Sequence, residues 1–214
     1  MTKKKTILIA EDHSMVRQGF RKILESGFDC MILEASSHAE VLSSTRENPV
    51  DVVLLDINMP GGSAAMTLKD LKQEHPEIRV LVVSMFEEEQ FAVRMIRAGA
   101  DGYISKSASP DEYLNAVRKI ISGRRYISTV VAELLADLAQ DKKQQLSLHQ
   151  MLSDREYEVF CLIAMGKSVS EIAQHLSLSA KTISTYRSRI LEKSGLKSNG
   201  EIMRYALQNK IIPV

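Results

Sequence analysis

Val50-Asp51-Val52-Val53-Leu54-Leu55-Asp56 is an apolar run, broken only at its second residue, that ends on a carboxylate. Short apolar runs without alternation read as strands buried on both faces of a parallel sheet. Three other stretches have the same design. Lys5-Thr6-Ile7-Leu8-Ile9-Ala10 runs into Glu11-Asp12, Val80-Leu81-Val82-Val83 into Ser84, and Asp101-Gly102-Tyr103-Ile104-Ser105 into Lys106. In an open parallel sheet, ligands bind outside the carboxyl ends of the strands. Three carboxylates, a hydroxyl and an ammonium are therefore expected to converge on one pocket. Clustered carboxylates repel each other unless a cation sits among them, and oxygen-only ligands suit Mg²⁺. A lysine beside such a site invites a phosphoryl group.

Segments of helical period separate the runs. Val16, Phe20, Ile23 and Leu24 share one face; Val41 and Leu42, Leu68 and Leu71, Phe91 and Met95, and Leu114, Val117 and Ile121 mark four more helices. Ser37-His38-Ala39-Glu40 and Ser109-Pro110-Asp111-Glu112 read as capping boxes. Strand alternating with helix predicts an α/β fold of five parallel strands with helices on both faces. The five βα units fit the flavodoxin-like sheet order 2-1-3-4-5.

After Gly123 the pattern changes. Ser128 is placed to cap a helix through Val131, Leu134, Leu135 and Leu138, and residues 140–150 read as a polar linker. The remainder reads as all helix. Ser153–Glu156, Ser168–Glu171 and Ser198–Glu201 have capping-box spacing, and Ser179 is placed to cap a helix from Ala180 to about Lys193. Gly166 and Gly195 end helices. The tight connection Ser177-Leu178 joins two helices as a helix-turn-helix. Expected divisions are an α/β domain over residues 1–125, a linker with a helix over 126–150, and a helix-turn-helix domain over 151–214.

The first constellation, with Asp-Ile-Asn-Met-Pro-Gly at 56–61 and Ala-Gly-Ala-Asp-Gly-Tyr at 98–103, resembles the receiver domain of two-component response regulators. Leu152-Ser153-Asp154-Arg155-Glu156-Tyr157-Glu158-Val159, Gly166-Lys167-Ser168, Glu171-Ile172-Ala173 and Ser179-Ala180-Lys181-Thr182-Ile183 resemble the LuxR-type DNA-binding domain. Together they resemble the NarL/FixJ family of response regulators. The resemblance implies that Asp56 accepts a phosphoryl group from a sensor histidine kinase, with Lys106 and Ser84 assisting and Tyr103 as switch aromatic. It implies a Mg²⁺ site of Glu11, Asp12, Asp56 and the backbone carbonyl of Asn58. Phosphorylation would drive dimerisation and promoter binding, with RNA polymerase as a further partner and only slow self-dephosphorylation as activity. It puts the 180–193 helix in a DNA major groove. Lys181, Thr182, Ser184, Thr185, Tyr186, Arg187, Ser188, Arg189 and Lys193 are the candidate DNA contacts. Two local departures stand out: the glycines Gly61-Gly62 come early in the loop after Asp56, and Tyr186 replaces a frequent His.

Composition bounds the alternatives. At 44% hydrophobic and 26% charged the 214-residue chain is ordinary for a soluble globular protein. The net charge of +1 hides a basic last third: residues 150–214 carry +3, suited to a polyanion. Cys30 and Cys161 sit among apolar residues and read as buried thiols. The five histidines read as surface or packing residues. The N-terminal apolar stretch is too short for a signal peptide, and no run reaches a membrane span, so a cytoplasmic location is expected. An aspartyl-nucleophile phosphatase would need a general acid two residues after Asp56, where Asn58 stands. The remaining rival is a phosphorylation-independent DNA-binding regulator with a silent receiver.

Overall fold

The structure, a computed structural model, describes residues 4–57, 59–85, 88–140, 151–176, 178–209 and 211–212. Asn58, Ser177 and residues 141–150 of the expected linker lie outside the described residues. Two compact units, Met1–Glu133 and Leu134–Val214, divide the chain.

The first unit alternates strand and helix: β1 (Lys5–Ala10), α1 (Ser14–Gly27), β2 (Cys30–Ala35), α2 (His38–Glu47), β3 (Val52–Asp56), α3 (Ala64–Glu74), β4 (Arg79–Ser84), α4 (Glu88–Arg97), β5 (Gly102–Ser105) and α5 (Pro110–Ile121). All strands are parallel and the order is β2-β1-β3-β4-β5, the flavodoxin-like order. The unbroken apolar runs follow from that placement. β1, β3 and β4 are covered on both faces, and Ile7, Ile9, Val52, Leu54, Leu81 and Val83 meet α1 and α5 through Phe20, Leu24, Val117 and Ile120. The edge strand β2 is only half buried, and its Glu34 accepts from Arg17 and Arg21 of α1 at 2.8 and 2.7 Å. Cys30 on this edge is half-exposed, which corrects its reading as buried; Cys161 is buried. Val16, expected on the packed face of α1, is also exposed.

Register fixes the site. Ala10 pairs with Leu55, Asp56 with Val83, and Ser84 with Ser105. Glu11, Asp56, Ser84 and Lys106 therefore leave the sheet within a few residues of one level. On the far edge, the chain beyond α5 lies against β5. Tyr103 N–H donates to the Tyr126 carbonyl at 3.2 Å, and Tyr126 N–H donates to the Asp101 carbonyl at 3.0 Å. A Cβ on Gly102 would lie 2.8 Å from the Tyr126 carbonyl oxygen, so only glycine admits this approach.

The helix α6 (Thr129–Gln140) begins where Ser128 Oγ accepts from Val131 N–H, and it includes Gln140, read above as linker. The second unit continues with α7 (Asp154–Ala164), α8 (Val169–His175), α9 (Ala180–Ser194) and α10 (Asn199–Gln208). Tyr157 and Phe160 of α7 stack at 6.2 Å, and Tyr205 of α10 meets Phe160 edge-on. Ile172, Ile183, Ile190 and Ile202 complete this core.

Ser109, Ser153 and Ser168 form reciprocal capping boxes with Glu112, Glu156 and Glu171. Ser37 and Ser198 correct the expectation. Each caps its helix, but Glu40 and Glu201 accept from the backbone N–H of Ser36 and Lys197, one residue earlier. The cause is backbone geometry: φ is −151° and −152° at these two caps against −63° to −72° at the reciprocal three. The caps' own N–H groups are thereby turned from the carboxylates.

Candidate functional site

Glu11 follows β1 and is fully buried; its N–H extends the β1–β2 ladder by donating to the Ala35 carbonyl at 3.0 Å. Asp56 ends β3 and is 2% exposed. Lys106 follows β5, and its N–H donates to the Ser84 carbonyl at 2.6 Å. That bond aims the side chain across the end of the sheet. Lys106 Nζ lies 2.7 Å from Glu11 Oε2 and 3.0 Å from Asp56 Oδ2. Burial lowers the lysine's pKa, but the Asp56 charge and the Glu11 hydrogen bond outweigh it, so the net shift is upward and the ammonium persists. Ser84 is buried at the end of β4.

Asp12 stands beside the pocket, with its Oδ1 buried and its side chain otherwise partly exposed. The ligating atoms of Glu11, Asp12 and His13 all lie within 4.8 Å of one another. Glu11, Asp12 and Asp56 bring three carboxylates and the one ammonium of Lys106 into a largely buried, oxygen-lined space. That cluster of oxygen donors fits a hard divalent cation such as Mg²⁺. His13 was read from sequence as a surface or packing residue. Its Nδ1 lies 2.7 Å from Asp12 Oδ1, and its N–H donates to Glu11 Oε1 at 3.1 Å.

Tyr103, the switch aromatic that the resemblance implies, is buried at 2% exposure. Tyr113 went unnoticed in the sequence. Its hydroxyl donates to the Ser105 carbonyl at 2.8 Å, and burial, then the charges of Asp56 and Glu11, push its pKa up. Nothing local distinguishes it from a packing tyrosine of α5; only the fold brings it to the site. Asn58 lies outside the described residues.

In the second unit, Lys181, Ser184, Thr185, Ser188 and Arg189 of α9 are exposed together, while Ile183 and Ile190 are buried. Thr182, Tyr186 and Arg187 are half-buried. Ser184, Thr185 and Ser188 donate their hydroxyl protons to the carbonyls of Ala180, Lys181 and Ser184. Two of the candidate DNA contacts are engaged within the domain. Lys193 Nζ pairs with Glu156 at 2.6 Å, and Arg187 Nε donates to Asn199 Oδ1 at 2.7 Å. Glu156 is drawn up by burial but held below the usual carboxylate range by Lys193 and the Ser153 bonds. Arg189 is left as the exposed arginine of the helix.

Residues 7–118 match the response regulator receiver domain, and residues 150–206 match the bacterial regulatory proteins of the luxR family. The oxygen regulatory protein NreC of Staphylococcus aureus is 34% identical over 96% of this chain and 98% of its own. A LuxR-family two-component response regulator from a species of Aurantimonas is 29% identical, covers 64% of this chain and 99% of its own, and superimposes with a TM-score of 0.58. RcsB of Salmonella enterica serovar Typhimurium, bound to the promoter rprA with phosphomimetic BeF3⁻, has the same fold. Its TM-score is 0.65 at 24% identity, with 94% of this chain and 98% of that one covered.

Proposed function

The chain belongs to the NarL/FixJ family of two-component response regulators, and on that footing we propose that Asp56 is its phosphoacceptor. It is a DNA-binding transcriptional regulator controlled by phosphorylation, not a classical enzyme. The observation that carries the assignment is the buried bridge of Lys106 Nζ between Asp56 Oδ2 and Glu11 Oε2, 3.0 and 2.7 Å away.

An Asp56 carboxylate oxygen attacks the phosphorus of a phosphohistidine on a sensor kinase. The phosphorus–nitrogen bond breaks, the imidazole leaves with its electron pair, and an acyl phosphate forms. Lys106 offsets charge as the phosphoryl oxygens approach, and the Ser84 hydroxyl donates to one of them afterwards. Glu11, Asp12 and Asp56 would hold Mg²⁺, with the Asn58 carbonyl from the family resemblance. The ion supplies positive charge that lets an anionic donor enter a carboxylate-rich pocket. Tyr103 reports the state of Ser84 to the β5 edge. Self-dephosphorylation is slow and is the only hydrolysis.

The receiver is assigned to residues 1–125, the linker with its helix to 126–150, and the DNA-binding domain to 151–214. Phosphorylation pairs two chains, whose α9 helices enter promoter DNA beside RNA polymerase. No helix among the described residues is long and apolar enough to cross a membrane. Phosphotransfer and promoter binding both place this work in the cytoplasm.

Incubation with a radiolabelled phosphodonor and Mg²⁺ tests the assignment. Wild type should take an acid-stable, alkali-labile label that chelation of Mg²⁺ abolishes, and Asp56→Ala should take none. Labelling of Asp56→Ala at the wild-type rate would sink the assignment.

A further inference from the structure

We propose that Tyr113 is a positioning residue for Lys106, acting through the peptide group that joins Ser105 to Lys106. The proposal rests on the phosphoacceptor reading above, in which the Lys106 ammonium meets the incoming phosphoryl oxygens. That peptide group is held at both of its polar ends. The Lys106 N–H donates to the Ser84 carbonyl of β4 at 2.6 Å. The Ser105 carbonyl, on the opposite edge of the same trans peptide, accepts the Tyr113 hydroxyl proton at 2.8 Å. The plane is thus fixed between β4 and α5. The Ala108 N–H donates to the same carbonyl at 3.1 Å and closes a turn through Lys106 and Ser107. Plane and turn together set the direction in which the Lys106 side chain starts, and its Nζ ends between Asp56 Oδ2 and Glu11 Oε2.

Tyr113 is itself immobilised. Its side chain is buried in the core with Ile9, Leu24 and Ile104, and its ring centroid lies 5.2 Å from that of Phe20. Its helix is anchored one turn earlier by the Ser109–Glu112 capping box, with Pro110 in the first turn. Burial, then the charges of Asp56 and Glu11, push the hydroxyl pKa up, so the donor keeps its proton at neutral pH. The bond is not needed to keep the Ser105 carbonyl paired, because the Ala108 N–H already does that. Its separate contribution is orientation. Without it the carbonyl end of the peptide is held by the turn alone, and the lysine is free to shift against Asp56. A charged group stabilises a transition state only where charge develops, so such a shift lowers the rate of transfer.

Tyr113→Phe in the full chain removes only the hydroxyl. The ring stays on Phe20 and the Ser105 carbonyl keeps its Ala108 bond, so the fold is expected to stand. Two measurements test the proposal. With acetyl phosphate at saturating Mg²⁺, Tyr113→Phe should take label about 5-fold more slowly than wild type, the worth of one neutral hydrogen bond. The ¹⁵N resonance of Lys106 Nζ, assigned by its loss in Lys106→Arg, reads the ammonium directly and needs no phosphodonor. Tyr113→Phe should move that resonance, whereas a tyrosine acting only in packing leaves it in place. Labelling of Tyr113→Phe at the wild-type rate overturns the proposal, as does slower labelling with an unmoved Lys106 resonance. If wild type takes no label at Asp56, the phosphoacceptor reading fails, while the resonance still decides whether Tyr113 holds Lys106.

Discussion

Lys106 and Asp101 solve opposite problems with the same means. Burial opposes the charge of each, and each keeps it through partners supplied by neighbouring elements. Asp101, at the entrance to β5, accepts from Lys72 Nζ at 2.7 Å, Arg79 at 2.6 Å and the Val80 N–H at 2.9 Å. Burial raises its pKa, but these bonds outweigh it and the net shift is downward. A carboxylate with a depressed folded pKa stabilises the fold above its unfolded pKa, and that stability disappears as pH falls through the folded value. Asp101→Asn should therefore cost the receiver about 3 kcal/mol at neutral pH, and the variant should lose less stability on acidification than wild type. Urea unfolding at a series of pH values measures both. Asp56 and Lys106 were legible because each ends an apolar run. Tyr113 was not, because its partner, the Ser105 carbonyl, comes from another element.

The helices show how far local pattern carries. Serine followed three residues later by glutamate located five helix starts, and all five serines do cap. Whether the glutamate closes the box depended on the cap's φ, which the approach of the chain from the preceding strand or turn sets. On α9 the 3.6-residue period separated the buried isoleucines from the exposed Lys181, Ser184, Thr185 and Ser188. Three of these are hydroxyls whose protons go to the carbonyl four residues back. They present lone pairs outward and, set against base edges, would discriminate little. The binding site should accordingly be degenerate, with DNA shape contributing to selection. Arg189→Ala should weaken binding to all sequences alike and shallow the salt dependence by about one unit of slope. Lys181→Ala or Thr185→Ala should instead shift the preferred sequence. Selection from random DNA with each variant checks the division; a changed preference in Arg189→Ala alone would reverse it.

For the whole molecule, charge argues for assembly. Residues 150–214 carry only +3, and the Lys193–Glu156 and Arg187–Asn199 bonds engage two cations of the candidate DNA-contact set. One domain should bind DNA weakly. Footprinting with phosphorylated protein should show paired half-sites about 10 base pairs apart, protected at lower concentration than with unphosphorylated protein. Protection of single half-sites at equal concentration in both states would contradict dimerisation. By itself the sequence determined the sheet, its two-sided burial, the helix starts and the four strand ends that carry the site. Those are properties of short contiguous runs, where hydrophobic period and capping chemistry act locally. Only the tertiary structure decided which edge of β5 the Tyr126 segment covers, that Glu11 shares Lys106 with Asp56, and that Gly62 lies against the His38 ring. Each of these joins residues distant in the chain, and the contact exists only once parallel pairing has set the register.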